Sequence, residues 1–349
     1  MSRSKRFPYR VLLLLDDDST PAWTPEELYV SRRMTELMVN GLREQGHDPH
    51  LLPILDNLKP LNGYDPHEWL VFNWIEEYDA RPWPEAHIAE ELEKRGFVYT
   101  GATAAVLRLT HRRDEVQARL RAADLPVLPS RVLTEDLAHE WTMFPAIVKG
   151  VGQHASTGID GNSVVDTPEE LAARIAWLRE KYRDQALVEP FLDSREFHVP
   201  VWGNAKPEAL WPVELDYSIF ADRRDRLYTN AWKFDIHSVG YHEIKMPCPA
   251  PAENPALQKR LEEIAVAAYQ VIGLRDYGRM DLRLWGDQPV ILDVNANPDL
   301  DITSMHPIAA QAMGITYGQL VTRIVDYAAE RWGEGGQPPA LASTGLSAA

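Results

Sequence analysis

Two stretches of strict alternation, 279–284 and 291–296, constrain this chain more than any other feature. An apolar residue at every second position marks a strand with one buried face. Gly286, Asp287 and Gln288 lie between the stretches and supply a turn, so a hairpin is expected. Pleat geometry puts Arg279, Asp281 and Arg283 on one face and Met280, Leu282 and Leu284 on the other. Asp293 and Asn295 share a face of the second strand. If the register brings the two polar faces together, two carboxylates and an amide oxygen converge. Such hard oxygen ligands suit Mg²⁺, which keeps some waters and takes further ligands from substrate phosphates. The same alternation also fits a half-buried hairpin whose polar face is simply solvated.

With 349 residues, 45% of them apolar, the chain is long enough for two or three domains with sizeable cores. A formal charge of −16 argues against nucleic acid and against an anionic membrane as partners. Phosphate-binding cations must then be concentrated locally, and a small ligand is expected. Cys248 is the only cysteine, which rules out an intrachain disulfide and a thiolate metal cage. The apolar run 11–15 stops at Asp16, too short for a secretion signal, and no stretch approaches membrane-spanning length. A cytoplasmic location is expected.

Along the first hundred residues, strands at 9–15, 49–55, 69–73 and 98–100 alternate with helices. The first helix opens on the capping box Thr24-Pro25-Glu26-Glu27 and stops at Gly46; a second covers 84–95 and stops at Gly96. This order predicts a parallel sheet, with ligands beyond the carboxyl ends of its strands. The acidic loops 16–18 and 74–79 lie there, although a single carboxylate in such a loop is more often only solvated. A helix to Ala123 follows, then the linker 125–129. A strand over 144–149 leads into a small-residue loop, 150–161, of the kind whose amides cradle phosphates, and a capped helix over 167–182 follows. A long polar segment, 216–249, reads as a functional loop. Helices over 254–273, 306–313 and 316–331 complete the chain, and the small-residue tail is expected to be disordered.

Strand, D-V-N, then N-P-D-L from Asp293 onward resembles the metal-binding end of the ATP-grasp fold, in its D-alanine:D-alanine ligase branch. The resemblance runs from about residue 71 to the last helix. It implies an α/β and α+β fold of three domains: an N-terminal βαβ domain (1–103), a central lid domain (104–187) and a C-terminal catalytic domain (188–333), followed by the tail 334–349. It further implies ATP and Mg²⁺ as cofactors. Asp281, Asp293 and Asn295 match the metal ligands, and Arg279 the arginine that steadies the tetrahedral intermediate. Lys149, ending F-P-A-I-V-K, matches the lysine of the α- and β-phosphates. Arg113, or its neighbour Arg112, matches a further phosphate cation. Glu189 and Leu192 match the flanks of the adenine edge, and Glu196 the acceptor of the ribose hydroxyls. Lys233, in L-Y-T-N-A-W-K-F, matches the γ-phosphate lysine. Ser304 and Met305 fall where the carboxylate of the second amino acid is held.

Departures from the family pattern cluster around the first substrate. D-D-D-S-T-P-A-W-T-P-E-E replaces a glycine-rich turn and its ammonium-binding glutamate, Ala155 beside His154 replaces a serine, and Phe234 replaces a tyrosine. Asp18 and His154 become the candidate substrate contacts. The expected reaction activates a small carboxylate as an acyl phosphate and couples it to an amino-acid-like amine. An ester-forming or ring-closing ligase, a phosphotransferase to a hydroxyl, and a nucleotide-binding module without catalysis remain as alternatives. A homodimer is expected, as in related ligases.

Overall fold

The structure, a computed structural model, describes residues 8–17, 24–75, 84–153, 156–235, 237–250 and 255–334. Asp18, His154, Ala155, most of the loop 74–79 and the tail from 335 lie outside the described residues. Four strands, β1 (Arg10–Asp16), β2 (Asp48–Ile54), β3 (Trp69–Trp74) and β4 (Val98–Tyr99), pair in parallel in the order β2-β1-β3-β4, as the alternating pattern predicts. Val11 and Leu13 of β1 join the core formed with Met38 and Leu42 of α1 (Pro25–Glu44). Leu12 and Leu14 join Ile88 and Leu92 of α2 (Pro84–Lys94) on the other face. Both faces are covered, which is why β1 is apolar throughout rather than alternating. The Thr24 hydroxyl accepts from the Glu27 amide and the Glu27 carboxylate accepts from the Thr24 amide, completing the expected capping box.

The helix expected to run on to Ala123 is two helices, α3 (Ala104–Thr110) and α4 (Arg113–Ala122). Arg112 between them has φ −128° and ψ 86°, outside the helical region. The break starts a new helix at Arg113, whose amide donates to the carbonyl of Val151 at 3.2 Å in the small-residue loop. A helix's first amides have no intrahelical acceptor, so this contact satisfies one and fixes α4 against the loop.

β5 (Arg131–Leu133), β6 (Ala146–Gly150), β7 (Val164–Val165) and β8 (Ala186–Pro190) form an antiparallel sheet in the order β5-β8-β6-β7. Leu171, Ile175 and Leu178 of α5 (Pro168–Tyr182) pack on its Val148 and Val188. Since β8 reaches Pro190, this sheet continues past residue 187, where the central domain was expected to end.

The third sheet contains β9 (Glu196–Trp202), β10 (Glu208–Ala209), β11 (Val213–Leu215), β12 (Tyr277–Trp285) and β13 (Gln288–Asn295), in the order β10-β9-β12-β13 with β11 also on β9. The expected hairpin is β12–β13. Its turn is only Gly286-Asp287, with Gly286 at φ +60°, and Gln288 already pairs with Trp285. The long polar segment before it folds two short helices of its own, α6 (Asn230–Phe234) and α7 (Val239–Glu243), N-capped by Thr229 and Ser238.

α8 (Pro255–Ile272) packs on the outer face of β9 and β12, and α9 (Met305–Ala312) and α10 (Tyr317–Ala329) follow the hairpin. α10 crosses back to cover the first sheet beside α1. There the helices touch at two glycines: a Cβ on Gly41 would lie 2.8 Å from the Gly318 Cα. Asp276, fully buried just before β12, accepts from the Gly101 amide (2.8 Å) and from both Nη atoms of Arg331 (2.6 and 2.8 Å). One carboxylate thus ties the exit of the first sheet, the end of the chain's last helix and the start of the hairpin. No helix among the described residues is long and apolar enough to cross a membrane. Asp276→Ala leaves Arg331 and the Gly101 amide without this partner; the expected loss is about 3 kcal/mol of unfolding free energy, read as a lower urea midpoint at unchanged m-value.

Candidate active site

The polar face expected on the hairpin extends over three strands. Register sets Asp281 directly opposite Asp293 and Arg279 opposite Asn295 on one side. On the other side it sets Asp281 opposite His198 and Arg283 opposite Glu196. Directly opposed residues of antiparallel strands have neighbouring side chains, so charges far apart in the sequence meet on one surface. The pairing slips between Asp281 and Leu282, a bulge in β13. Leu292 and Asp293, adjacent in sequence, both line the cleft as a result.

Each charge on this face has a partner. Arg279 donates from Nε and Nη2 to the two oxygens of Asp281, at 2.7 and 3.1 Å. Burial works against the Arg279 charge, but Asp281 more than offsets it and the guanidinium pKa is raised. The Asn295 amide nitrogen donates to Asp281 Oδ2 at 3.0 Å, which leaves its oxygen as the ligating atom. Glu196 is buried between Arg283 Nε (2.8 Å) and His198 Nε2 (2.9 Å). Burial alone would raise its pKa; Arg283 and then His198 pull it well below the usual carboxylate range.

The central sheet faces this surface with cations of its own. Lys149 Nζ, at the end of β6, lies 2.7 Å from the fully buried Glu189 carboxylate of β8. Gln117 of α4 donates to the other Glu189 oxygen. Arg113 donates to the carbonyls of Gly150 (2.8 Å) and Gln153, and its Nη2 reaches Asp293 Oδ2 at 3.1 Å. Its neighbour Arg112 instead pairs with Asp114 and Glu115 away from the cleft. Of the two arginines the sequence left open, the fold brings Arg113 to the site. Lys233, from α6, donates to the Ser156 hydroxyl at 2.7 Å and lies over the Tyr228 ring. Burial, with a further contribution from Arg279, lowers its pKa to about 8.

Arg113, Lys149, Glu189, Leu192, Glu196, Lys233, Arg279, Asp281, Asp293 and Asn295, scattered over 183 positions of sequence, line a single cleft between the second and third sheets. Ser304 and Met305 line a second cavity of about 440 Å³, toward the first sheet. Met305 is buried in the core as a wall, and the Ser304 hydroxyl donates to the Asp299 carbonyl at 2.7 Å. The amides at the start of α9 are therefore the donors available there to a carboxylate. Tyr228, Lys233, Arg279 and Asn295 border both cavities. Sequence reading missed His198, Gln117, Tyr228 and Ser156. Period two from Glu196 would have pointed to His198; no local signal marks the other three. Ser156 supplies, one position later, the hydroxyl that Ala155 lacks.

Two opposed carboxylates, an amide oxygen and no sulfur or imidazole pair make a hard oxygen set. Among the described residues, no group of three or more His, Cys, Asp or Glu side chains is placed to hold a metal alone. That is the pattern of Mg²⁺ bound with water and substrate phosphates.

A phosphate-binding lid sheet closed over a carboxylate-bearing sheet, with a parallel domain presenting a second substrate cavity, defines an ATP-grasp ligase. The family model described as D-ala D-ala ligase C-terminus matches residues 121–326. A Sinorhizobium fredii protein called "Uncharacterized protein y4sG" is 29% identical over 322 residues, 88% of this chain and 91% of its own. The D-alanine–D-alanine ligase of Desulforudis audaxviator is also 29% identical, over 69% of this chain and 76% of its own. The crystal structure of D-alanine–D-alanine ligase from Bacillus anthracis complexed with ATP superposes with a TM-score of 0.68 at 17% identity, covering 94% of this chain and all of that one. The chain belongs to the D-alanine–D-alanine ligase family. It is an ATP-dependent ligase that uses ATP and Mg²⁺ to join a carboxylate to an amine.

The depressed Lys233 pKa has a direct consequence. Its ammonium is present below about pH 8 and lost above it, so kcat/KM for ATP, which reports the free enzyme, is expected to fall as pH rises through that value. Lys233→Arg removes this alkaline limb from the pH profile.

Proposed function

We propose that the protein activates a small carboxylate as an acyl phosphate and couples it to an amino-acid-like amine at a donor site unlike that of D-alanine–D-alanine ligases. The observation that carries this reading is the shared border of the two cavities. Arg279 and Lys233 stand where a transferring phosphoryl group and a substrate carboxylate would meet. Asp281, Asp293 and Asn295 would hold the Mg²⁺, which supplies charge neutralisation on the phosphates when bound. Arg113, Lys149 and Lys233 would balance the remaining phosphate charge, while Glu189 and Leu192 flank the base and Glu196 accepts the ribose hydroxyls.

Little acid–base chemistry is required of the protein. Positioning and electrostatic stabilisation account for most of phosphoryl transfer. When the amine attacks, negative charge develops on the former carboxylate oxygen, and the Arg279 guanidinium, held flat by its fork onto Asp281, is oriented to receive it. The amine's nucleophilic nitrogen forms the new bond, the acyl–phosphate bond breaks, and inorganic phosphate leaves. Ser304 and the amides of α9 hold the acceptor's carboxylate, with Met305 as wall. The reading keeps Asp18 and His154 as substrate contacts in place of the family's donor set, and it places the enzyme in the cytoplasm as a homodimer.

ADP release measured against a matrix of carboxylates and amines, with product masses, tests the assignment. A condensed product with loss of water supports it; a phosphorylated single substrate identifies a phosphotransferase instead. A sedimentation mass of one chain removes the dimer. Arg279→Ala is expected to slow turnover by roughly a few hundredfold, about 3 kcal/mol of barrier, in a protein whose melting curve is retained. A loss below about tenfold counts against the oxyanion role.

A further inference from the structure

Arg283 is the one cation of the site face with no role in the chemistry above, and it is the most deeply buried, at 3% exposure. Its guanidinium is shared among three separate segments. Nε donates to Glu196 Oε2 at 2.8 Å and Nη2 lies 2.7 Å from the same carboxylate, at the start of β9. Nη1 donates to the main-chain carbonyl of Leu192, in the hinge between β8 and β9. Nη2 also donates to the main-chain carbonyl of Arg226, in the segment that leads to Lys233. The Arg226 side chain returns the contact, reaching both oxygens of Asp193 beside the hinge at 3.0 Å. Phe191 and Tyr217 flank the guanidinium, with centroids 5.4 and 5.6 Å away.

We infer that Arg283 is a positioning residue that locks the base-and-ribose end of the nucleotide site to the segment carrying Lys233, so that recognition of the nucleoside and placement of the γ-phosphate cation are set together. A planar guanidinium fixes the directions of its donors relative to one another. Glu196, Leu192 and Arg226 can therefore all be satisfied only in one mutual arrangement. A lysine at this position offers one point charge and cannot span the three, and a methionine offers none. The inference rests on the proposed nucleotide site, and it makes a demand that site alone does not: changing a residue at the ribose end should loosen the chain near the triphosphate end.

The test compares the full chain with Arg283→Met and Arg283→Lys in the presence of Mg²⁺. Calorimetric affinities for ATP and for 2′-deoxy-ATP are measured, together with hydrogen exchange over residues 222–235 in the ATP-bound state and a melting curve. Arg283→Met is expected to weaken ATP binding by roughly tenfold or more, the scale of a lost charge-assisted hydrogen bond. It should also level the preference for ATP over 2′-deoxy-ATP and raise exchange over 222–235. Arg283→Lys is expected to recover part of the affinity while the preference stays reduced. A folded variant that keeps the wild-type preference and exchange overturns the inference, even if its stability or affinity drops, because a merely structural arginine would behave in that way. If Arg283→Met does not fold, Arg283→Lys decides by the same criteria. Failure of the unmodified protein to bind ATP overturns the nucleotide-site reading itself, a result distinct from a variant that matches the wild type.

Discussion

The pairing of β12 with a strand on each side governs everything at the site. It sets Asp281 against Asp293 across one ladder and against His198 across the other. Two carboxylates face to face on adjacent strands repel one another, and in a partly buried cleft that repulsion is poorly screened. The arrangement persists because each carboxylate has its own arginine, Arg279 on Asp281 and Arg113 on Asp293. A slip of one residue in either register would turn the acids into the apolar core and the leucines out to the nucleotide. The core residues Met280, Leu282 and Val294 on the opposite face therefore protect the chemistry as much as the fold.

Charges in the cleft are paired before any ligand arrives. Lys149 rests on Glu189, Arg113 on Asp293, Arg279 on Asp281 and Arg283 on Glu196. Buried ions left single are strongly destabilising, and a polyanion with a divalent cation can enter such a site by exchanging partners rather than by stripping water from isolated charges. Lys233 differs: its partner is the neutral Ser156 hydroxyl, and burial lowers its pKa. It is the cation that gains most from an arriving phosphate.

Much of this was legible from residues alone. The hairpin, the capping box at Thr24, the parallel order of the first sheet and the gathering of Asp281, Asp293 and Asn295 all follow from period two, helical caps and strand–helix alternation, which are local rules. The break between α3 and α4 was not legible, since it depends on the Val151 carbonyl waiting on another element. The short helices α6 and α7 escaped for a related reason: at five residues each they are too short to show a helical period, although Thr229 and Ser238 cap them in a recognisable way. The choice of Arg113 over Arg112 needed the helix phase that this break sets.

Sequence by itself determined which residues could carry charge, which faces of each strand they would share, and the family the motifs resemble, because those properties depend on spacing within one element. Tertiary structure decided which charges became partners. It put Glu196 and His198 beside the hairpin, seated Ser156 under Lys233, and drew α10 back over the first sheet at the glycine pair Gly41 and Gly318. Register between distant strands and close approach of distant helices come from packing the whole chain at once. No window of sequence holds both sides of those contacts.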